Sequence, residues 1–481
     1  MRALIVDDSK PSRSIVARAL RDLGFECAEA ANGAEALAAL STGSLPGLIT
    51  VNWHMPVMDG LELVRRIRAS PGLRRLKVLM VSTEGDAERI STAIAAGADD
   101  FLAKPFTPDG LARKLVALGV RTAADVAVVG ERGPIRVLVV DDSATIRSVL
   151  SSTLAADPDL KVVGTAVNGQ VALASIAAKP PDLVLLDVEM PVLDGISTLR
   201  EIRRIHPKLP VLMFSSLTER GSRATLDALL AGANDYVAKP SGLDAAEVAA
   251  RIRDEVIAKI KALVPRGGSD TRSAPPAVAR PTLVARREAV RAVVIAVSTG
   301  GPVALAEVLP GFVAKARVPV LIVQHMPAFF TAQLAERLSR TCGAAVREAR
   351  TGEELRPGDI LLAPGGRHLE VTGDATAARA RLTDDPPENS CRPSADVLFR
   401  SAVRVWGAGT LGVVLTGMGR DGLQGSRAIV EAGGEVIAQD EFTSVVWGMP
   451  GEVVRAGLAN AVLPLPQIGV EVALRLQRRG G

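Results

Sequence analysis

The sequence predicts an α/β protein made of three doubly wound parallel-sheet domains. Three observations carry this expectation. Short apolar runs alternate with amphipathic helix patterns, one such block occurs twice, and a Pro- and Gly-rich stretch separates that pair from a third block. The runs are apolar throughout, not alternating, which suits strands covered on both faces.

The repeat can be read from aligned stretches. "ALIVDDSKPSRSIV" at 3–16 matches "VLVVDDSATIRSVL" at 137–150, and "AGADDFLAKPF" at 96–106 matches "AGANDYVAKPS" at 231–241. So long a period means two domains of one kind, spanning 1–120 and 135–262, and not a solenoid. In the second copy strands are expected at "RVLVV", "KVVGTA", "DLVLL", "PVLMF" and "DYVA", with a closing helix at "DAAEVAARIRDEVIAKIKALV". Prolines, adjacent glycines and weak apolar periodicity mark 263–289 as a linker. From 290 to 481, "RAVVIAVS", "VPVLIVQH", "DILLAP" and "GTLGVVLTG" predict a further parallel α/β domain.

Composition sets the outer limits. Over 481 residues, 48% are hydrophobic and 23% charged, which excludes wholesale disorder. A formal net charge of +4 without a long basic block argues against a nucleic-acid partner. Cys27, Cys342 and Cys391 are scattered, with no C-x-x-C pair, so neither a disulfide framework nor a zinc site is expected. The chain starts directly on a strand pattern, and no apolar run approaches the ~18 residues that span a bilayer. The expectation is a cytoplasmic protein with no membrane insertion.

In an open parallel sheet, functional groups gather beyond the C-terminal strand ends. There the second copy places Asp141 and Asp142 after its first strand, Asp187 after its third and Lys239 after its fifth. Three carboxylates on one rim repel one another unless a cation sits among them, and a small set of hard oxygen ligands suits Mg²⁺. The lysine supplies positive charge for phosphoryl oxygens. Taken singly, an Asp-Asp is often a helix N-cap and a K-P a turn. All of them in order, in two copies, leave that account little room.

Each copy resembles a two-component receiver domain, with D-D, D-x-x-M-P-x-M/L-D-G, a switch Ser/Thr and K-P. The resemblance implies a flavodoxin-like fold in which Asp187 takes a phosphoryl group from a histidine kinase. It further implies Mg²⁺ held by Asp142, Asp187 and the Glu189 backbone carbonyl, with Asp141 in support. Ser215 matches the switch hydroxyl, Tyr236 the switch aromatic and Lys239 the phosphoryl-binding lysine. In the first copy "LITVNWHMPVMDG" stands where the second has "LVLLDVEMPVLDG", so Asn52 holds the phosphoacceptor position. A carboxamide is a far poorer nucleophile than a carboxylate. Asp7, Asp8, Ser82, Phe101 and Lys104 remain, which predicts a receiver that keeps its fold, is not phosphorylated and serves docking or dimerisation.

The chain has only four histidines. His54 lies beside Asn52, His206 ends a helix pattern and His368 begins a strand. His325 ends the apolar strand of "VPVLIVQHMP". Ser298, in "RAVVIAVSTGGP", sits on a glycine-rich strand-to-helix turn, where backbone N–H groups can stabilise an oxyanion. A phosphate cradle is the competing reading, although both G-x-G-x-x-G and a Walker motif are missing. Asp421 follows a third strand in "GTLGVVLTGMGRDG". Ser, His and Asp at three strand ends would meet on one rim, as a nucleophile, base and orienting group require.

These stretches, with "QHMP", "APGGRHL", "RPSADVLF" and "VVWGMPG", resemble the catalytic domain of the CheB family, chemotaxis protein-glutamate methylesterases. The resemblance implies a Rossmann-like domain with Ser298 as nucleophile, His325 as base, Asp421 as orienting carboxylate and the Met418 backbone as oxyanion donor. It implies hydrolysis of glutamate methyl esters on chemoreceptors with release of methanol, and deamidation of receptor glutamines. No cofactor is expected for that step; Mg²⁺ belongs to the receiver. Partners are methyl-accepting chemoreceptors and a chemotaxis-type histidine kinase. The family usually carries one receiver where this chain has two, and the intact second one is expected to control the esterase. A non-enzymatic signalling scaffold is the alternative, and the three intact site residues count against it. A DNA-binding output domain is excluded by the strand–helix alternation after 290.

Overall fold

The computed structural model describes residues 1–42, 45–74, 76–82, 87–104, 106, 108–120, 133–215, 219–239, 250, 252–264 and 289–477. The expected linker lies outside these residues except at its ends, as does the start of the helix expected before it. Two compact units divide the chain. One comprises Met1–Gly133; the other begins at Pro134 and holds both the second repeat and the C-terminal sheet.

In the first unit β1 (Arg2–Val6), β2 (Glu26–Ala30), β3 (Leu48–Val51), β4 (Lys77–Ser82) and β5 (Asp100–Ala103) form a sheet ordered β2-β1-β3-β4-β5. Every described pairing is parallel. Helices Lys10–Asp22 and Pro108–Ala117 cover one face, burying Val16, Leu20, Leu111 and Leu115. Helices Gly33–Thr42, Gly60–Ala69 and Ala87–Ala96 cover the other with Leu40, Leu63, Ile67 and Ala93. Coverage on both faces is why β1, β3 and β4 are apolar almost throughout.

The second repeat has the same architecture: β6 (Ile135–Val140), β7 (Leu160–Ala166), β8 (Leu183–Asp187), β9 (Val211–Ser215) and β10 (Asp235–Ala238), ordered β7-β6-β8-β9-β10. Its closing helical pattern is not uniform. A π-helical segment, Ile252–Ile257, precedes an α-helical one, Ala258–Leu263, and Ile252, Val256 and Ile257 are all buried.

The C-terminal part contains β11 (Ala292–Val297), β12 (Val320–Gln324), β13 (Val346–Glu348), β14 (Ile360–Leu362), β15 (His368–Thr372), β16 (Arg379–Thr383), β17 (Thr410–Val414), β18 (Glu435–Gln439) and β19 (Ala461–Leu463). Seven of these make a parallel sheet ordered β13-β14-β12-β11-β17-β18-β19, and β15 with β16 makes an antiparallel hairpin. β12 lies on one side of β11 and β17 on the other, so the order reverses there. At such a switch point a crevice opens beyond the strand ends. Among the described residues no helix is long and apolar enough to cross a membrane.

The second repeat and the C-terminal sheet share one apolar cluster, in which Leu226, Leu229 and Tyr236 join Phe330, Leu334 and Leu338. Tyr236 and Phe330 meet with ring centroids 4.8 Å apart at an interplanar angle of 49°.

Candidate active site

Ser298 is the first residue after β11. In the sheet Val297 pairs with Gln324 of β12 and Ala296 with Val414 of β17. His325 therefore emerges on one side of Ser298 and the loop after β17 on the other. His325 N–H donates to the Val297 carbonyl at 3.1 Å, and Ser298 N–H to that of Thr416 at 3.0 Å. Buried Gln324 ties the two strand ends together, its Nε2 donating to the Ser298 carbonyl at 3.0 Å and to that of His325 at 3.2 Å. Gly417 must be glycine, since a Cβ there would lie 2.8 Å from Ser298 Cβ and 2.5 Å from Met449 Sδ. Met418 follows on this loop, and its N–H donates to no group among the described residues.

His325 Nε2 lies 2.7 Å from Asp421 Oδ2. Asp421 is only 1% exposed, and its carboxylate is met by one segment of chain. Ser394 Oγ donates to Oδ1 at 2.7 Å, Ala395 N–H to Oδ2 at 2.6 Å, Asp396 N–H to Oδ1 at 3.1 Å and Asn389 Nδ2 to Oδ1 at 3.2 Å. The helix Ala395–Trp406 thus directs its N-terminus at the carboxylate, where an anion is favoured. Burial pushes Asp421 up, but the His325, Ser394 and Ala395 bonds outweigh it and hold the group at about 2. Burial pushes His325 down, while Asp421 and Cys391 raise it to about 9.

Sequence reasoning missed several of these neighbours. In "RPSADVLF" Ser394 reads as an ordinary N-cap. Its hydroxyl instead goes to Asp421, and its N–H donates to the Nδ1 of buried His368 at 3.1 Å. Asp396 accepts from Gly425 N–H at 2.6 Å and from Asn389 Nδ2 at 2.8 Å, so one amide bridges two carboxylates. Burial, with Asp421 nearby, raises Asp396 to about 6. Ser298, His325 and Asp421 thus share one rim, but only the His–Asp pair is hydrogen-bonded. The Ser298 hydroxyl bonds to nothing among the described residues, and His325 Nδ1 faces Cys391 Sγ at 3.6 Å.

The rim of the second repeat carries the other constellation. Lys239 Nζ stands 2.8 Å from Oδ2 of both Asp141 and Asp187. Asp141, Asp142 and Asp187 can each offer an oxygen within 4.8 Å of the others. Burial raises Asp187 to about 6, with Asp141 adding to the shift and Lys239 opposing it. Crowded acids of this kind suit a hard divalent cation, which would relieve their repulsion. Glu189 is two residues on, its N–H donating to Asp187 Oδ1 at 3.4 Å. Ser215 ends β9 buried, with its Oγ accepting from Thr225 Oγ1 at 2.6 Å.

The first repeat closes the corresponding site on itself. Lys104 pairs with Asp7 and donates to Asn52 Oδ1 at 3.4 Å. Asn52 Nδ2 donates to Asp8 Oδ1 at 3.2 Å and to the His54 carbonyl at 2.9 Å. The amide both donates and accepts, so one neutral group links lysine to carboxylate. Ser82 and Phe101 are buried at their strand positions. The shared D-G is architecture: Asp59 and Asp194 cap helices, and a Cβ on Gly60 or Gly195 would lie 2.1 Å from the carbonyl of Asn52 or Asp187.

Side chains also join the second repeat to the C-terminal part. Thr299 Oγ1, one residue past Ser298, donates to Asp235 Oδ2 at 2.6 Å, and Asp235 precedes Tyr236. Lys259 Nζ donates to the Tyr236 carbonyl at 2.7 Å, and Arg337 pairs with Asp227 nearby.

Comparison with known proteins matches these parts one by one. Residues 293–472 match the CheB methylesterase family, and 3–116 and 137–253 each match the response regulator receiver domain. A protein-glutamate methylesterase/protein-glutamine glutaminase of Nocardioides sp. is 53% identical over 354 residues, covering 72% of this chain and 96% of the relative. Its counterpart in Trichodesmium erythraeum is 46% identical over 350 residues, covering 71% and 99%. Among solved structures, the Thermotoga maritima CheB methylesterase catalytic domain is 38% identical at a TM-score of 0.38, covering 39% of this chain and 98% of that one. With identities of this order over nearly the whole length of its relatives, the chain belongs to the CheB methylesterase family and carries two receiver domains ahead of its methylesterase domain.

Proposed function

We propose that the chain is a phosphorylation-regulated serine esterase that hydrolyses glutamate methyl esters on chemoreceptors and deamidates receptor glutamines. The observation that carries this reading is the 2.7 Å His325–Asp421 pair beneath a helix N-terminus, one strand from Ser298. The printed names of the relatives supply the substrate classes.

In this reading Ser298 Oγ attacks the ester carbonyl and passes its proton to His325. Asp421 holds Nε2, so Nδ1 is the nitrogen that receives the proton. The imidazolium then protonates the departing methoxide, methanol leaves, and water cleaves the acyl-enzyme by the same route in reverse. The Met418 N–H serves the oxyanion. A carboxamide substrate loses ammonia through the same steps. Asp141, Asp142, Asp187 and the Glu189 carbonyl would hold Mg²⁺, which neutralises charge during phosphoryl transfer from a histidine kinase. Asp187 accepts the phosphoryl group and Lys239 pairs with its oxygens.

The test is methanol release from methylated chemoreceptor membranes, with and without Mg²⁺ and a small-molecule phosphodonor. The wild-type rate rises on adding donor, and Asp187→Asn keeps its basal rate while losing the stimulation. Equal stimulation in both proteins would remove Asp187 from its role; no methanol from either would remove the esterase.

A pH dependence follows from the base. Only neutral imidazole accepts the serine proton, and His325 is held at about 9. The acid limb of kcat/KM therefore lies well above the ordinary imidazole range, with activity rising as pH approaches 9. A limb near 6.5 would contradict this.

A further inference from the structure

We propose that Ser394 is a positioning residue for the esterase step: its hydroxyl fixes the Asp421 carboxylate with Oδ2 toward His325, and the buried His368 holds Ser394 in place. This role presupposes the functional reading above and concerns residues that touch neither substrate nor the reacting atoms.

Ser394 is the N-cap residue of the helix Ala395–Trp406, with φ −113° and ψ 137°, yet its side chain makes no capping bond. A serine there ordinarily accepts from a backbone N–H two or three residues on, and losing that bond weakens a helix. Here the first two N–H groups of the helix, those of Ala395 and Asp396, go to Asp421, so that carboxylate is the cap. The hydroxyl is released from capping, and it donates to Asp421 Oδ1 at 2.7 Å.

The two carboxylate oxygens are held from different sides. Oδ2 meets His325 Nε2 at 2.7 Å and Ala395 N–H at 2.6 Å. Oδ1 accepts from Ser394 Oγ at 2.7 Å, from Asp396 N–H at 3.1 Å and from Asn389 Nδ2 at 3.2 Å. Asn389 Nδ2 lies nearer Asp396 Oδ2, at 2.8 Å, so it is shared between two acids. Ser394 is thus the closest donor to Oδ1. Without it the angle at which Oδ2 meets the imidazole is no longer set from both sides.

Ser394 is itself fixed from behind. Its N–H donates to His368 Nδ1 at 3.1 Å, and His368 Nε2 lies 3.2 Å from the Pro386 carbonyl oxygen. A carbonyl only accepts, so Nε2 carries the hydrogen and Nδ1 is the acceptor, an arrangement that one neutral tautomer satisfies. Ser394 and His368 are 0% and 1% exposed, which keeps both out of contact with substrate. His368, Ser394, Asp421 and His325 form one unbroken run of hydrogen bonds.

The test measures kcat and KM for methanol release by the full chain on methylated receptor membranes, with thermal unfolding of each variant read alongside. Ser394→Ala lowers kcat roughly 10- to 100-fold, the size expected for a hydrogen bond to a charged group. KM stays within about twofold, because the residue does not meet substrate. Ser394→Thr, which keeps the donor, recovers most of the loss. Ser394→Cys, close in shape but a weaker donor, falls between alanine and wild type, and it carries the test should the alanine variant fail to fold. His368→Leu also lowers kcat, and combining it with Ser394→Ala costs no more than about twofold beyond the larger single loss, since both act through one contact. A Ser394→Ala protein that loses stability but keeps its kcat overturns the proposal, as does threonine impaired as badly as alanine, cysteine at the wild-type kcat, or a loss confined to KM. Losses that multiply in the double variant overturn the part given to His368. A wild-type chain that releases no methanol sinks the esterase reading and this role with it, whereas an active wild type beside an equally active Ser394→Ala overturns this role alone.

Discussion

Replacing Ser298 by alanine is expected to lower kcat for methanol release by about 10⁴-fold or more while leaving the fold unchanged. The size of the loss follows from the role: without an oxygen to acylate, only the oxyanion donor and substrate positioning remain. The unchanged fold follows from the contacts. The Ser298 hydroxyl bonds to nothing among the described residues, so its removal strands no buried partner. Its Cβ, which packs beneath Gly417, is retained in alanine. Thermal unfolding should therefore superimpose on wild type, and labelling of Asp187 by a phosphodonor should persist. A Ser298→Ala protein that still released methanol at near the wild-type rate would falsify the assignment of the nucleophile.

Asp421→Asn is expected to cost roughly 10³–10⁴-fold in kcat and to lower stability as well. The carboxylate accepts from His325 and four further donors, and it is almost completely buried. An amide turns one accepting oxygen into a donor, which then faces Ala395 N–H and the imidazole at the Oδ2 position, or Asp396 N–H and Asn389 Nδ2 at that of Oδ1. A buried mismatch of that kind costs about 1–3 kcal/mol. The charge pair also gives stability a pH signature. Asp421 is depressed from 3.8 to about 2, so its contribution is lost as pH falls through that range. His325 is raised from 6.5 to about 9, so its contribution is complete below 6.5 and lost as pH rises through 9. Urea unfolding at pH 6 and pH 10 should separate wild type from Asp421→Asn at the lower pH and bring them closer at the higher. A constant gap across that interval would count against the ion pair.

The parts of this site legible in sequence are those that depend on strand ends. Ser298, His325 and Asp421 each close an apolar run, and a parallel sheet places such positions on one rim. Asn52 was legible because the second repeat supplied an aligned reference. What stayed hidden depends on side chains reaching across long stretches of chain. Cys391 lies 66 residues from His325, and Ser394 27 from Asp421. "ENSCRPSADV" carries the donors to Asp421, but in sequence it resembles a loop and a helix start. The strands β13, β16, β18 and β19 were not among those expected from the sequence. The bond between Thr299 and Asp235 escaped because it joins a side chain in the turn after β11 to one on β10, 64 residues away in the chain.

That last bond has a thermodynamic consequence. Thr299 adjoins the residue that would meet substrate, and Asp235 sits on the strand that leads to Lys239. Coupling between two binding equilibria is reciprocal. If a phosphoryl group on Asp187 changes the affinity of the Ser298 crevice for a receptor segment by some factor, an occupied crevice shifts the phosphorylation equilibrium by that same factor. The chain would then carry information in both directions, with receptor occupancy registered in the equilibrium level of phosphoryl groups on Asp187.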